Sequence, residues 1–355
     1  MLSHNSSNKP IPKNPKEFFI ANKNSNLTEI LELLMSDSPV VVNDSYSLGL
    51  KILNNLKKIL KKKYPFNNYS NKRQYRKHYR SKSHNLFLRI KDQKLQVKNA
   101  PDIGWLELFY PKKEEFYLSF PEIQGLNGSW QWYHNGIKFD FLDFKIHPYY
   151  DVYFPTRLDH ILLFDEWLSN YQGPKNSAID VGFGSGILSF ILMKYQFNSI
   201  IGTEINSNAI IGINHQLKKL NHQQNLQFIK CDLLSGIQHQ NIDLIVFNPP
   251  WLPAQHPIKS GIDKAIYYPT NLFFDFFTQA ISKITSGGNI ILLFSNMAEL
   301  FTDTDNPIQS TLEKFPSLHI KEKLQRKASS SSNKTRRKSN TKNQFVEMWV
   351  IQLKE

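Results

Sequence analysis

Ser177-Ala178-Ile179-Asp180-Val181-Gly182-Phe183-Gly184-Ser185-Gly186 decides the fold. Ser177–Val181 reads as a short buried strand, and glycines at alternate positions supply the tight turn that follows it. Ile187–Tyr195 continues as a helix, which makes the segment a strand–turn–helix unit. The same alternation extends outward from it. Strands are expected at Ser199–Glu204, Leu226–Asp232, Asp243–Phe247 and Asn289–Ser295, with helices at Asn208–Leu220 and Leu272–Ile284. A helix at Leu158–Ser169 precedes them, and strands near Leu318–Gln325 and Phe345–Leu353 close the chain. Strand–helix alternation of this kind predicts an α/β, Rossmann-like domain over residues 146–355, with a parallel sheet covered on both faces.

Ligands of open α/β sheets bind beyond the carboxyl ends of the strands. Gly182, Gly184 and Gly186 sit at that point, where a backbone without Cβ lets a ligand approach and the next helix offers free N–H groups. Three acids stand at successive strand ends. Asp180 is placed to orient the turn or to reach a cofactor amino group through water. Glu204 follows Gly182 by 22 residues, close to the spacing at which an acid reaches ribose hydroxyls. Asp232 is placed to accept from an adenine amino group. The pattern is Gly-x-Gly-x-Gly, not the Gly-x-Gly-x-x-Gly of dinucleotide enzymes, so no diphosphate need be accommodated. Thr156, before the first helix, is a candidate either for capping that helix or for facing the cofactor.

Asn248-Pro249-Pro250-Trp251 follows the apolar run Ile242–Phe247. Amino groups on a base or a carboxamide are poor nucleophiles because the lone pair is delocalised. The Asn248 side-chain oxygen and the Pro249 carbonyl can hold both N–H bonds of such a group and turn its lone pair toward an electrophilic methyl. Two prolines stiffen the backbone here, and Trp251 offers a face for a planar acceptor. The competing reading is a Pro-Pro turn that closes a buried strand, with Trp251 in the core. Together the glycine turn and this element predict methyl transfer from S-adenosylmethionine to a nitrogen. The loop Ser260–Tyr268 is a candidate lid, its Tyr267 and Tyr268 serving either packing or substrate contact.

The remaining composition narrows the setting. At 355 residues the chain accommodates a catalytic domain and a smaller partner. One cysteine, Cys231, excludes a disulfide framework and a cysteine-based zinc site, and no metal-binding histidine spacing occurs. Without an apolar signal core or a membrane-length run, a cytoplasmic protein is expected, with no membrane and no metal. The net charge of +14 is concentrated: Lys51–Lys98 holds sixteen Lys/Arg against the single acid Asp92, and Arg326–Lys342 holds seven and no acid. Such concentration suits an anionic partner, although two solvated segments would look the same.

Residues 1–26 read as a flexible lead-in and 27–145 as a basic α+β domain for substrate recognition. This domain has a strand at Val40–Val42, an amphipathic helix at Ser47–Lys62 and a β-like region from Asn85 to about Pro148, with a hairpin turn at Asn135-Gly136. Lys72, Arg73, Arg76, Lys77 and Arg80 are candidates for gripping phosphates, and the interleaved Tyr75 and Tyr79 for stacking on unpaired bases.

From Phe154 to the C-terminus the chain resembles class I S-adenosylmethionine-dependent methyltransferases, on Asp180, Gly182, Gly184, Gly186, Glu204, Asp232 and Asn248-Pro249-Pro250-Trp251. It is most similar to the small methyltransferase domain group, which includes ribosomal RNA guanine-N2, tRNA adenine-N6 and release-factor glutamine-N5 enzymes. The resemblance implies a seven-stranded sheet of order 3-2-1-4-5-7-6 with the last strand antiparallel. It also implies that the basic insert 327–342, carrying Arg336 and Arg337, hangs beside the substrate entrance. Trp251 stands where the glutamine enzymes have Tyr, and their Pro-Arg-Pro-Glu-Thr-Glu run is missing before the first helix. The expected activity is therefore N-methylation of an exocyclic amine in RNA, ribosomal or transfer, with a protein glutamine as the alternative acceptor.

Overall fold

The computed structural model describes residues 8–66, 69–220, 225–238, 240–254, 258, 261–302, 305–329 and 344–354. The chain divides into two compact units, Lys9–His134 and a larger one made of Met1–Asn8 with Asn135–Glu355.

The smaller unit runs β1 (Phe19–Ala21), α1 (Leu27–Met35), β2 (Val40–Val42), α2 (Tyr46–Lys63), α3 (Tyr69–Ser83), β3 (Leu86–Lys91), β4 (Lys94–Leu95), α4 (Gly104–Phe109), β5 (Glu115–Ser119) and α5 (Phe120–Asn135). β1, β2 and β3 are parallel neighbours, and β4 and β5 pair antiparallel with β3. The helix expected at Ser47–Lys62 is α2, capped by Ser45 and buried along Ile52, Leu53, Leu56 and Leu60.

Two expectations fail here. Of the lead-in expected over residues 1–26, residues 1–7 lie outside the described residues, and the remainder is tied down: Phe19–Ala21 pairs with Val40–Val42, and the Tyr110 hydroxyl donates to the Pro10 carbonyl at 2.6 Å. The hairpin at Asn135-Gly136 is a helix end. Pro121 lies in the first turn of α5, and Ser119 and Glu122 bond reciprocally, with the Ser119 N–H donating to the Glu122 carboxylate at 2.9 Å and the Glu122 N–H to the Ser119 hydroxyl at 3.4 Å. Gly136, at φ +67°, follows the helix in the left-handed conformation that terminates helices as readily as it turns hairpins. Trp130 and Tyr133 then pack on Trp105, not across a β-ribbon.

The larger unit continues with β6 (Ile137–Lys138), β7 (Lys145–Ile146), α6 (Asp159–Ser169), β8 (Ser177–Val181), α7 (Ile187–Lys194), β9 (Ser199–Glu204), α8 (Ser207–Leu220), β10 (Leu226–Lys230) and β11 (Ile242–Phe247). It ends with β12 (Leu252–Pro253), α9 (Gly261–Lys264), β13 (Tyr267–Tyr268), α10 (Leu272–Ile281), β14 (Ile284–Ser295), α11 (Met297–Thr302), α12 (Pro307–Leu312), β15 (Leu318–Lys327) and β16 (Phe345–Leu353). The main sheet is ordered β10-β9-β8-β11-β14-β16-β15. Its first five strands are parallel and β16 is antiparallel to both neighbours, which leaves β10 at one edge and β15 at the other, the latter with a register shift between Ile320 and Glu322. This is the 3-2-1-4-5-7-6 arrangement. β8 and β11 are buried nearly throughout, as central strands must be when helices cover both faces. Between them they deliver Gly182 and Asn248 to the same end of the sheet.

Candidate active site

β8 runs directly into the glycine turn. The N–H groups of Gly182 and Phe183 both donate to the Thr203 carbonyl, at 2.8 and 3.1 Å, which folds the turn back over the end of β9. Gly184 lies at φ +53°, and a Cβ there would come within 3.1 Å of the Tyr153 carbonyl. Gly186, at φ +83°, has no room for one, since it would sit 2.5 Å from Ile213. α7 starts immediately after; Gly186 at its N-cap has no side chain to offer, and the Ser189 N–H is taken by the Asp180 carboxylate. Ile187 and Leu188, the first two residues of the helix, line the space above the sheet.

A cavity of about 690 Å³ occupies this space, within the size range of small-molecule sites. Gly182, Gly184, Glu204, Asp232, Asn248, Pro249, Pro250 and Trp251 all line it. Half-buried Glu204 is held from three sides. One carboxylate oxygen accepts from the Gly184 N–H at 3.0 Å, and the other from Ile205 and Asn206 at 2.8 and 2.9 Å. Burial pushes its pKa up, against the pull of those N–H groups and of Lys264, another lining residue. Asp232 lies two residues beyond β10, not at its last position, and is exposed on the cavity wall.

Asp180 does not reach the cavity. Its Oδ2 accepts from the Ser189 N–H at 2.8 Å and the Ser189 hydroxyl at 2.6 Å, tying β8 to α7. Oδ1 is buried without a hydrogen-bond partner, and burial pushes the carboxyl up to about 7. Thr156 neither caps α6 nor lines the cavity; Leu158 occupies the cap position, and Thr156 is exposed.

Trp251 departs from the expectation of an open stacking face. Its indole N–H donates to Asn248 Oδ1 at 3.2 Å and to the Leu293 carbonyl at 3.3 Å, and its ring packs against the main core. The His160 ring meets it edge-on at 4.9 Å. His160 is fully buried, neither ring nitrogen has a hydrogen-bond partner, and burial holds its pKa down to about 4. Trp251 is thus part wall and part brace, fixing the rotamer of Asn248. The candidate lid is split: Tyr267 lines the cavity, whereas Tyr268 is buried on Phe273. β13 pairs with β12 and carries this segment along the cavity wall.

The base of the basic insert is anchored on α6. Ser329 donates through its N–H and hydroxyl to Asp159, at 3.0 and 2.9 Å, and Arg157 donates to the Gln344 side chain at 2.8 Å. Arg336 and Arg337 lie outside the described residues.

In the smaller unit, α2 and α3 together carry twelve Lys/Arg and no acid. Lys72, Arg73, Arg76, Lys77 and Arg80 are exposed. Among the described residues only Lys82 of these twelve forms an ion pair, with Asp37 at 2.6 Å. Tyr75 and Tyr79 are partly buried and engaged in packing. Their rings stack on each other at 6.0 Å, Phe66 meets Tyr75 edge-on, and Lys57 lies over Tyr79, whose pKa burial raises to about 12.

Sequence reasoning missed Asn206, Asn208, Tyr153, Lys264 and Asn8. The two asparagines had a signal, since Asn-x-Asn one residue beyond an acid that ends a strand is a cluster of side chains that bond backbone. Asn8 had none. Among the described residues no cluster of three potential metal ligands occurs, and no helix is long and apolar enough to cross a membrane.

Comparison with known proteins agrees with the geometry. A Methanocaldococcus jannaschii protein, provisionally named a protein N5-glutamine methyltransferase, is 33% identical over 124 residues, 35% of this chain and 58% of its own. The tRNA1(Val) (adenine(37)-N6)-methyltransferase of Shewanella halifaxensis is 28% identical over 134 residues, 37% of this chain and 53% of its own. The ribosomal protein uL3 glutamine methyltransferase of Francisella tularensis is 29% identical over 93 residues, 26% and 29% of the two chains. The match thus spans little more than half the length of the first two relatives. Residues 161–315, which supply most of the cavity, match the family described as the methyltransferase small domain.

Proposed function

We propose that the chain is an S-adenosylmethionine-dependent N-methyltransferase whose acceptor is a planar amino group on a base of ribosomal or transfer RNA, acting in the cytoplasm. One observation carries the chemistry: Asn248-Pro249 shares one cavity with the glycine turn and Glu204.

The cavity suits the cofactor. Gly184 leaves open the space a Cβ would fill, the first two residues of α7, Ile187 and Leu188, offer their N–H groups to a carboxylate, and Glu204 and Asp232 stand ready for ribose and adenine. S-adenosylmethionine supplies a methyl group on a sulfonium leaving group. The chain's own part is positioning. Asn248 Oδ1 and the Pro249 carbonyl accept the two N–H bonds of the acceptor amine. Oδ1 has two lone pairs, so it serves the amine while keeping the Trp251 N–H. That brace prevents the carboxamide from flipping its NH₂ toward the amine. The prolines keep the carbonyl fixed, and the Ile266–Tyr267 wall limits water.

RNA is favoured by the unpaired cationic surface of α2 and α3, and Lys9–His134 would be the recognition unit, gripping phosphates through Lys72, Arg73, Arg76, Lys77 and Arg80. The insert 327–342, with Arg336 and Arg337, would add contacts near the entrance. Glutamine in a protein is the second reading, because two of the relatives are named for it and a carboxamide presents the same amino group.

Methyl-labelled cofactor, the purified chain and an extract from cells lacking this protein would separate the two. Label released by RNase supports RNA. Label released only by protease moves the acceptor to a protein, and no label in either fraction refutes the activity.

A further inference from the structure

Asn208, the second residue of α8, is a fully buried carboxamide with every hydrogen-bonding group engaged. Its Oδ1 accepts the backbone N–H of Asn8 at 2.8 Å, and its Nδ2 donates to the carbonyl of the same residue at 2.9 Å. The second Nδ2 hydrogen goes to the Tyr150 carbonyl at 2.7 Å. Asn206 repeats the arrangement one step earlier. Its Nδ2 donates to the Asp151 carbonyl at 2.7 Å, its Oδ1 accepts the Asn208 N–H at 3.0 Å, and its own N–H holds Glu204. The run Glu204-Ile205-Asn206-Ser207-Asn208 therefore sews two distant pieces of backbone to the end of β9. One is Tyr150–Asp151, the latter at φ +57°. The other is Asn8.

Asn8 itself borders the cavity, and Tyr150–Asp151 leads directly into residues that do. Asn8, Val152, Tyr153, Glu204 and Asn206 all line it. A buried carboxamide is costly unless its donors and acceptor are satisfied, and here the satisfying groups are main-chain atoms of Asn8 and Tyr150.

We propose that Asn208 is a positioning residue for the cofactor. By gripping the peptide groups of Asn8 it makes that residue a fixed wall of the cavity beside Glu204, and the cofactor's residence time depends on that wall. The proposal rests on the cofactor reading above and adds to it a residue that does not touch the cofactor.

The test is binding of S-adenosylhomocysteine to the full chain, by titration calorimetry for affinity and by stopped-flow competition for dissociation. Asn208→Ala removes both donors and the acceptor; Asn8→Pro removes the N–H that Oδ1 accepts. Each should raise Kd on the order of tenfold, mostly through faster dissociation. The double variant should be no weaker than the weaker single, because both changes break one clamp. Melting of each variant without ligand checks the fold, and Asn208→Asp, of equal size but without the donors, replaces any Asn208→Ala protein that fails to fold. If the wild-type chain binds no S-adenosylhomocysteine, the cofactor reading itself is wrong. If it binds and both singles match it, the clamp is refuted. Fully additive losses also refute it, since Asn208 would then act through Tyr150 alone.

Discussion

Replacing the buried acid of the glycine turn, Asp180→Asn, should stabilise the protein at neutral and alkaline pH. Burial raises the Asp180 carboxyl from 3.8 to about 7. Between those values the folded state keeps a proton that the unfolded chain has released. Stability therefore falls as pH rises through that window and levels off above about 7. Holding that proton across one pH unit is worth ~1.4 kcal/mol, so the penalty at about pH 8 has an upper bound of about 4 kcal/mol, and relaxation brings the expected value to about 1–3 kcal/mol. Asparagine keeps the oxygen that accepts from the Ser189 N–H and hydroxyl, and it never ionises. Urea unfolding across pH, with unchanged slope on denaturant, measures the difference. The two proteins should be equally stable near pH 4 and diverge above it, the variant ahead. His160 imposes an opposite trend, because its folded pKa near 4 lies below the ordinary 6.5 and costs stability as pH falls through that interval. That slope is common to both proteins and cancels in the comparison. Stability curves that stay parallel from acid to alkaline pH would refute the reasoning.

His160→Phe should gain stability over the wild type as pH drops below about 6, and the same unfolding series checks it, a shared acid slope counting against a neutral buried ring. Trp251→Phe keeps an aromatic ring but removes the N–H that braces Asn248, so single-turnover methyl transfer should slow by roughly tenfold while S-adenosylhomocysteine affinity holds within about twofold. A loss in affinity as large as the loss in rate would assign Trp251 to the cofactor instead. Changing Lys72, Arg73, Arg76, Lys77 and Arg80 to glutamine should weaken binding of total cellular RNA and flatten its dependence on log salt, the slope falling by up to about 0.7 per lost single-strand contact, as read by filter binding. An unchanged slope would leave α3 merely solvated.

The strand–helix alternation, the glycine turn and the placing of Asn248 are legible because each rests on local signals: apolar runs of strand length, alternate glycines, and prolines after a buried strand; the strand order is non-local and follows only from the family resemblance. β10 ends two residues sooner than its sequence suggests: the Cys231 N–H makes a last bond to the Glu204 carbonyl at 3.1 Å, and β9 ends there, leaving Asp232 beyond the ladder. At Asn135-Gly136 a left-handed glycine imitates a hairpin, although Ser119-Phe120-Pro121-Glu122 carries the opposing helix-start signal sixteen residues upstream of Asn135. The roles of Trp251 and Tyr79 are hidden for another reason. An aromatic side chain has two faces and an edge, and which of them is spent on packing depends on partners such as Leu293, His160 or Lys57. Asn8 is out of reach altogether, because its bond to Asn208 spans two hundred positions.

The free edge at β15 bears on how this protein behaves in concentrated solution. An unpaired strand is a template on which a second chain can add by main-chain bonding. β15 spells Leu-His-Ile-Lys-Glu-Lys-Leu-Gln-Arg-Lys, largely exposed, with its register broken between Ile320 and Glu322. Lys323 reaches back over the Trp349 ring at 3.9 Å and pairs with Glu347, while Arg326 pairs with Glu166. An incoming strand would face like charges and a kinked ladder, and would have to displace those pairs. The edge that completes the sheet is also its guard against aggregation.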